Sequence, residues 1–144
     1  MVPDIAEHLS GHFLELYQCN NRNTETMAAP SLESNWLVQI PNQSGAHVAQ
    51  ARKDSFAAHM SYNKTHIEAG RMVLAGPLVE SLPEDGQPAM SAVITGSIMV
   101  WKAGAGEQEQ LEKWLGDNPF ATSGVWDLSK MSCTPFLCGV RKGL

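Results

Sequence analysis

Apolar residues recur along this chain with the periods of short strands and of two helices. The apolar runs predict strands at residues 36–40, 71–75 and 92–101, and a last strand or pair of strands within 125–140. Stretches with helical spacing predict two helices, at residues 46–69 and 107–115. Gly70 is expected to end the first helix, Gly76-Pro77 to break the second strand, and Pro135 to mark an edge or a bulge. The order β-α-β-β-α-β predicts an α+β, ferredoxin-like sheet with both helices on one face.

The first 34 residues have a weaker pattern than the rest of the chain. Residues 4–17 have the spacing of a short amphipathic helix, and residues 20–34 are polar and small, as in a linker. We therefore expect an N-terminal extension over 1–34 and a single domain over 35–144. The extension is either a loose tail or an arm that packs on a partner subunit or covers a pocket.

The predicted strands are apolar on both of their faces. Ile98, Met99, Val100 and Trp101 follow one another, and alternate residues of a strand point to opposite faces. Two helices on one face of the sheet cannot bury all four side chains. A strand that is apolar on both faces is usually packed against other structure on both faces. The pattern favours a homodimer in which two sheets pack face to face as an α+β barrel. The alternative is a monomer whose second face is covered by the N-terminal extension.

Charge and amino-acid composition argue against some kinds of binding partner and cellular location. The net charge of −5 and the ten scattered Lys and Arg residues argue against a nucleic-acid partner. No apolar run reaches the roughly 18 residues of a membrane span. The three cysteines, Cys19, Cys133 and Cys138, are interpreted as reduced thiols, and no secretory signal is recognised. These features predict a cytoplasmic protein.

The first predicted helix has polar side chains along one face. Arg52, Phe56, His59, Asn63 and His66 follow spacings of 4, 3, 4 and 3, which place them in one stripe. The stripe is either solvated surface or the edge of a polar pocket. His59 and His66 lie two turns apart, whereas helical zinc pairs use i,i+4 spacing, so we expect no metal site here.

Three other positions are candidates for chemistry. Asp117 follows the second predicted helix, where an aspartate either caps a turn or orients a histidine. Gly76 serves a turn or allows a ligand to approach the backbone closely. Trp101 is a core residue or lines a ligand cavity.

Several of these residues stand in an order that resembles the YCII-related domain family. The matching positions are Arg52, His59, 68–71, 74–77, 95–97, 117–120, 124–126 and 134–136. The resemblance covers about residues 35 to 142 and is greatest to fungal members, which occur beside polyketide biosynthetic enzymes. It implies a dimeric α+β barrel with a His–Asp active site that uses neither a metal nor an organic cofactor.

The resemblance assigns the catalytic histidine to His59. The family aspartate, which precedes a proline, falls on Asn118, with Asp117 one position earlier. Either Asp117 replaces it with a shifted geometry, or His59 works through a hydrogen bond to Asn118, or catalysis is different or absent. Arg52 matches a recurrent family arginine that would bind an acidic or phenolate oxygen.

The function expected from this resemblance is cofactor-free catalysis on a small aromatic or polyketide-derived molecule. His59 would move a proton, while Arg52, Tyr62 and His66 would stabilise an enolate or carboxylate. Dehydration, decarboxylation, isomerisation and cyclisation all fit this lyase or isomerase chemistry. The alternatives are a cofactor-free oxygenase, a non-catalytic ligand-binding or accessory protein, and a structural subunit of a larger enzyme.

Overall fold

A computed structural model describes residues 32–102 and 107–141, so the predicted N-terminal helix and most of the predicted linker lie outside the described residues. Within these ranges the four strands are β1 (Glu33–Pro41), β2 (Met72–Val79), β3 (Ile94–Lys102) and β4 (Ser132–Cys138). The three α-helices of the same ranges are α1 (His47–Glu68), α2 (Gln108–Gly116) and the short α3 (Pro119–Thr122). Neighbouring strands are antiparallel in the order β2-β3-β1-β4. This arrangement confirms the predicted α+β, ferredoxin-like fold.

The second strand is longer than predicted. Gly76 and Pro77 were expected to break it, but β2 continues through both, and Pro77 pairs with Ser97 of β3. The expectation was wrong because β2 lies at the edge of the sheet, where one side of the strand needs no hydrogen-bond partner. The same reasoning correctly placed Pro135 on an edge strand, β4.

The end of α1 is set by glycine, as predicted. Gly70 has a φ of +69°, which L side chains rarely adopt. Its N–H donates to the carbonyl of Ile67, and the Arg71 N–H donates to the carbonyl of His66, both at 2.9 Å. These two bonds form a Schellman motif that satisfies carbonyls of the last turn. The chain therefore turns sharply from α1 into β2 and brings Arg71 back beside His66.

Both long helices lie on one face of the sheet. His66 of α1 and Trp114 of α2 each pack their ring against Trp101 of β3. The residues of this face that are buried in the core include Val38, Ile40, Met99 and Trp101. Leu37, Ile98 and Val100 alternate with them along β1 and β3 and so point to the other face, which is also largely apolar.

Two further features bear on the sequence predictions. No helix within residues 32–102 and 107–141 is long and apolar enough to cross a membrane. Cys133 and Cys138 are both free thiols on β4. Cys19 lies outside the described residues.

Candidate functional site

A cavity of about 1,320 Å³ lies between α1 and the strands β2 and β3. Four residues of the predicted stripe, Arg52, Phe56, His59 and Asn63, line it. The stripe is therefore the wall of a pocket and not simply solvated surface. Apolar residues supply most of the rest of the lining, among them Met60, Ile67, Met72, Met99, Phe120 and Trp126.

The His59 imidazole is held between two asparagine side chains. Its Nδ1 lies 2.8 Å from Oδ1 of Asn118, and its Nε2 lies 3.0 Å from Nδ2 of Asn63. The two amides also contact each other, because Nδ2 of Asn118 donates to Oδ1 of Asn63 at 3.0 Å. All three side chains are buried, with His59 only 9% exposed. The result is a closed triangle of neutral hydrogen bonds at the cavity wall.

Backbone geometry fixes the direction of every bond in this triangle. Asn118 is the N-cap of α3, and its Oδ1 accepts from the Phe120 N–H at 3.0 Å. The oxygen of Asn118 therefore faces both that N–H and the imidazole, so Nδ1 of His59 must donate. In neutral histidine Nε2 then carries the lone pair, which accepts from the Asn63 amide. The N-cap of a four-residue helix thus sets the tautomer of His59.

The environment of His59 favours its neutral form. Burial lowers the pKa of His59, and the charge of Arg52 lowers it further. The hydrogen bond to Asn118 acts in the opposite direction and raises the pKa, but it does not outweigh burial. An aspartate at position 118 would add an opposing charge, whereas the amide adds none. His59 is therefore an uncharged imidazole at neutral pH.

Aromatic rings fix the plane of the imidazole. His59 stacks on Phe120 with ring centres 3.7 Å apart and the planes within 3°. Trp126 contacts the same imidazole edge-on at 5.6 Å, and its indole N–H donates to Ser97 at 3.0 Å. The guanidinium of Arg52 lies over the Phe120 ring, 4.6 Å from its centre. Phe120 is thus the common support of the site's imidazole and its cation.

The structure distinguishes Asn118 from Asp117. Asn118 is the residue hydrogen bonded to His59, while Asp117 is exposed at the C-cap of α2 and does not line the cavity. Burial raises the pKa of Tyr62, and the Asp117 charge raises it further. Asp117 therefore acts electrostatically on Tyr62. The backbone direction at the α2–α3 junction turns adjacent side chains to different surroundings.

Two of the predicted ligand contacts, Arg52 and Gly76, line the cavity, and the other three lie elsewhere. Tyr62, His66 and Trp101 form a separate aromatic group, with the His66 ring 5.0 Å from Tyr62 and 4.9 Å from Trp101. The Tyr62 hydroxyl donates to the Trp114 carbonyl at 2.9 Å. These side chains support the packing of α1 on α2 and β3.

His66 is neutral for a reason of its own. Its Nδ1 accepts from Nε of Arg71 at 3.1 Å, so the proton of the neutral ring is on Nε2. Burial lowers the pKa of His66, and the Arg71 charge lowers it further. The two histidines of the stripe thus have opposite tautomers in different surroundings.

Asn63 was not among the catalytic or binding residues predicted from the sequence. It belonged to the predicted stripe and stands four residues after His59, a spacing at which helical side chains touch. That spacing is a usable signal, but an asparagine is common on helix surfaces and identifies no chemistry by itself. No group of three or more His, Cys, Asp or Glu side chains suited to a metal occurs in the described ranges.

Comparison with known proteins places these residues in a family. A xenovulene A biosynthesis cluster protein of Sarocladium schorii is 87% identical over 118 residues, which cover 82% of this chain and all of the relative. A protein C of a benzaldehyde-derivative biosynthesis cluster of Emericella nidulans is 32% identical over 89 residues, which cover 62% and 85% of the two chains.

Among solved structures, one match is a 5-chloro-2-hydroxyhydroquinone dehydrochlorinase from Burkholderia phenoliruptrix in complex with 2,5-dihydroxybenzoquinone. It has a TM-score of 0.49 at 17% identity and covers 75% of this chain and 95% of that chain. The YCII-related domain matches residues 35–131, which run from within β1 through α3 and contain His59, Asn63 and Asn118. This chain therefore belongs to the YCII-related domain family, as its sequence motifs indicated.

Proposed function

We propose that this protein acts in the cytoplasm in the biosynthesis of a secondary metabolite. It would be a cofactor-independent lyase- or isomerase-type catalyst acting on a small aromatic or polyketide-derived molecule. Two relatives that share its family are named for biosynthesis clusters, one for xenovulene A and one for a benzaldehyde derivative. The near-identity to the first, over its whole length, is the reason to place this chain in the same kind of pathway.

The observation that carries the proposal is the neutral imidazole of His59 on the wall of a large, mainly apolar cavity. A general base must be unprotonated at working pH, and burial together with Arg52 keeps His59 so. A substrate hydroxyl or acidic C–H would replace the Asn63 amide at Nε2 and transfer its proton there. The resulting imidazolium would still donate from Nδ1 to Asn118, which holds the ring in place throughout.

Proton transfer of this kind fits dehydration, decarboxylation, isomerisation or cyclisation of an activated ketone. In dehydration, isomerisation and cyclisation His59 would remove a proton from the substrate while a nearby donor stabilises the developing oxyanion. In decarboxylation the breaking C–C bond would supply the enolate electrons as CO2 leaves, and His59 would return to carbon the proton that it took from the carboxyl group. Arg52 is the donor closest to this role, since its guanidinium packs on the same Phe120 ring as His59.

A second candidate function is ligand binding without catalysis. The specific observation in its favour is that both ring nitrogens of His59 already have amide partners, Asn118 and Asn63. In this case the triangle would only shape the cavity wall, and no proton would move.

The chain would act as a homodimer through the sheet face opposite the helices. Leu37, Ile98 and Val100 lie on that face, and Leu74 of the edge strand is 54% exposed. Sedimentation velocity should give twice the 15.7 kDa of one chain. A monomer at micromolar concentration would contradict this part of the proposal.

The two functions are separated by three variants introduced into the organism that encodes this chain. His59→Ala removes the base, Ala75→Trp fills the cavity, which Ala75 lines, and His66→Gln changes a buried histidine outside it. Extracts are compared by mass spectrometry with those of a deletion strain. We expect His59→Ala and Ala75→Trp to accumulate the deletion strain's intermediate, while His66→Gln makes the normal product.

If His59→Ala makes the normal product while Ala75→Trp does not, the protein binds a ligand without proton transfer. If Ala75→Trp also makes the normal product, the cavity is not the functional site.

A further inference from the structure

The cavity has a charge pattern opposite to that of the whole chain. The chain has 15 acidic and 10 basic residues. Among the described residues that line the cavity there are two cations, Arg52 and Lys53, and no aspartate or glutamate. The charged side chains of this lining are therefore both positive, although the protein as a whole is acidic.

Arg52 is a half-buried cation that forms no ion pair with a carboxylate of the described residues. Burial lowers the pKa of its guanidinium, which shows that the group is partly desolvated. Its hydrogen-bond partner is the neutral Oδ1 of Asn42, at 3.3 Å, and its other contact is the Phe120 ring. No ion pair joins Arg52 to a carboxylate within residues 32–102 and 107–141. Most of its five N–H donors remain available to a ligand.

Keeping an unpaired cation in a partly desolvated site is unfavourable unless a counterion arrives. The neighbouring groups do not provide one, because Asn63 and Asn118 are amides and His59 is a neutral imidazole. Most of the rest of the wall is apolar. The site therefore complements a molecule that has a large apolar surface and one negative oxygen.

We propose that the cavity binds an amphipathic organic anion, an aromatic body that carries one ionised oxygen acid held by Arg52. The inference deepens the proposed function and rests on it for the identity of the site, although binding is measured without turnover. Arg52 is placed to form a charge-assisted, bidentate contact with a carboxylate, phenolate or enolate. The ligand's apolar body would then lie along the side chains of β2, β3 and α1.

A matched pair of fluorescent probes tests this ligand class. 8-Anilino-1-naphthalenesulfonate and N-phenyl-1-naphthylamine share one aromatic body, and the first alone is an anion. Their dissociation constants are measured by fluorescence titration of the purified full chain. We expect Arg52→Met to weaken the anion about 10- to 100-fold, as for a lost charge-assisted hydrogen bond, and the neutral probe less than about twofold.

Two control variants and one alternative substitution show whether the effect is specific to Arg52 and the cavity. Lys64→Met removes the same charge from an exposed position of α1 outside the lining, where Lys64 pairs with Glu68, and should change neither constant. Ala75→Trp should weaken both probes, because it fills the cavity itself. Should Arg52→Met fold poorly, Arg52→Gln removes the charge while keeping an amide donor for Asn42.

Equal weakening of both probes by Arg52→Met would overturn the proposal, because it would mean that Arg52 only packs. An unchanged affinity for the anion, or no binding of either probe, would also overturn it. His59→Ala is expected to retain the anion. If the variant strains show no catalytic role for His59, the proposed ligand class therefore still stands. If the probes refute the ligand class, a catalytic role for His59 likewise still stands.

Discussion

Asn118→Asp is expected to convert His59 from a neutral imidazole to an imidazolium at neutral pH. The new carboxylate would keep the Phe120 N–H and the Nδ1–H of His59 as donors, as the amide oxygen does now. Its second oxygen would face Oδ1 of Asn63, which now accepts from the Asn118 amide. Two acceptors cannot stay in contact, so Asn63 should rotate and present its oxygen to Nε2. Both ring nitrogens of His59 would then face acceptors, the arrangement that an imidazolium requires.

The size of the effect follows from the 2.8 Å separation of the Asn118 oxygen and the imidazole Nδ1. With charge centres about 4 Å apart and an effective dielectric constant of about 20, the attraction is about 4 kcal/mol. Each 1.36 kcal/mol is a tenfold change in proton affinity, so the upper limit is about 1,000-fold. Burial of the carboxylate opposes this gain, and we expect an increase in the proton affinity of His59 of about 100- to 1,000-fold.

Nitrogen chemical shifts of the His59 ring provide the assay, because they report both tautomer and charge. In the unmodified protein His59 should show the Nδ1–H tautomer, and its pKa should lie below that of a free histidine. Asn118→Asp should show two protonated nitrogens at neutral pH, with Asp117→Asn, one residue away and exposed, as the control that changes neither. A neutral His59 in Asn118→Asp, or a shifted pKa of His59 in Asp117→Asn, would refute the reasoning.

Two further predictions concern stability. The folded-state pKa of His66 is lowered by burial, so the unfolded chain binds more protons and stability falls as pH drops below the unfolded pKa of about 6.5. Between about pH 7.5 and 5.5 the loss due to His66 is at most about 1.4 kcal/mol. In urea unfolding, the free energy of unfolding of His66→Gln should therefore fall less over this pH range than that of the unmodified protein. His47→Gln, which replaces an exposed histidine, is the control and should leave this pH dependence unchanged. Gly96→Ala should lower the melting temperature sharply, because its Cβ would lie 2.5 Å from the carbonyl oxygen of Ile40, whereas Gly116→Ala meets no atom within 4 Å. Equal melting temperatures for the two glycine variants would show that the sheet yields at Gly96.

Most elements of the fold were predictable from the residue pattern. Local residue patterns predicted the long helix, its end at Gly70 and the order of strands along the chain. These features depend on the hydrophobic period and on the φ that single residues permit. The error at Gly76-Pro77 has a non-local cause. Whether a proline breaks a strand depends on whether that strand lies at an edge, which only the sheet order reveals.

The candidate site was predictable only in part. Helical spacing placed Arg52 and His59 on one face, and both line the cavity. The same spacing placed His66 on that face, yet its ring packs on Trp101 because the helix meets a different neighbour two turns further on. The face of a helix on which a residue lies follows from its position in the sequence. The surroundings of its side chain depend on which other elements pack against that part of the face.

The order of apolar and polar residues alone therefore determined a ferredoxin-like α+β chain with an imidazole and a guanidinium on the same face of one helix. The tertiary structure decided which partners they meet. Asn118 reaches His59 across 59 positions of sequence, and Asn63 closes the triangle only because Asn118 is there. Hydrogen-bond direction and desolvation depend on atoms a few ångströms away in space, and no local pattern encodes them. The charge state of His59 is thus a property of the fold.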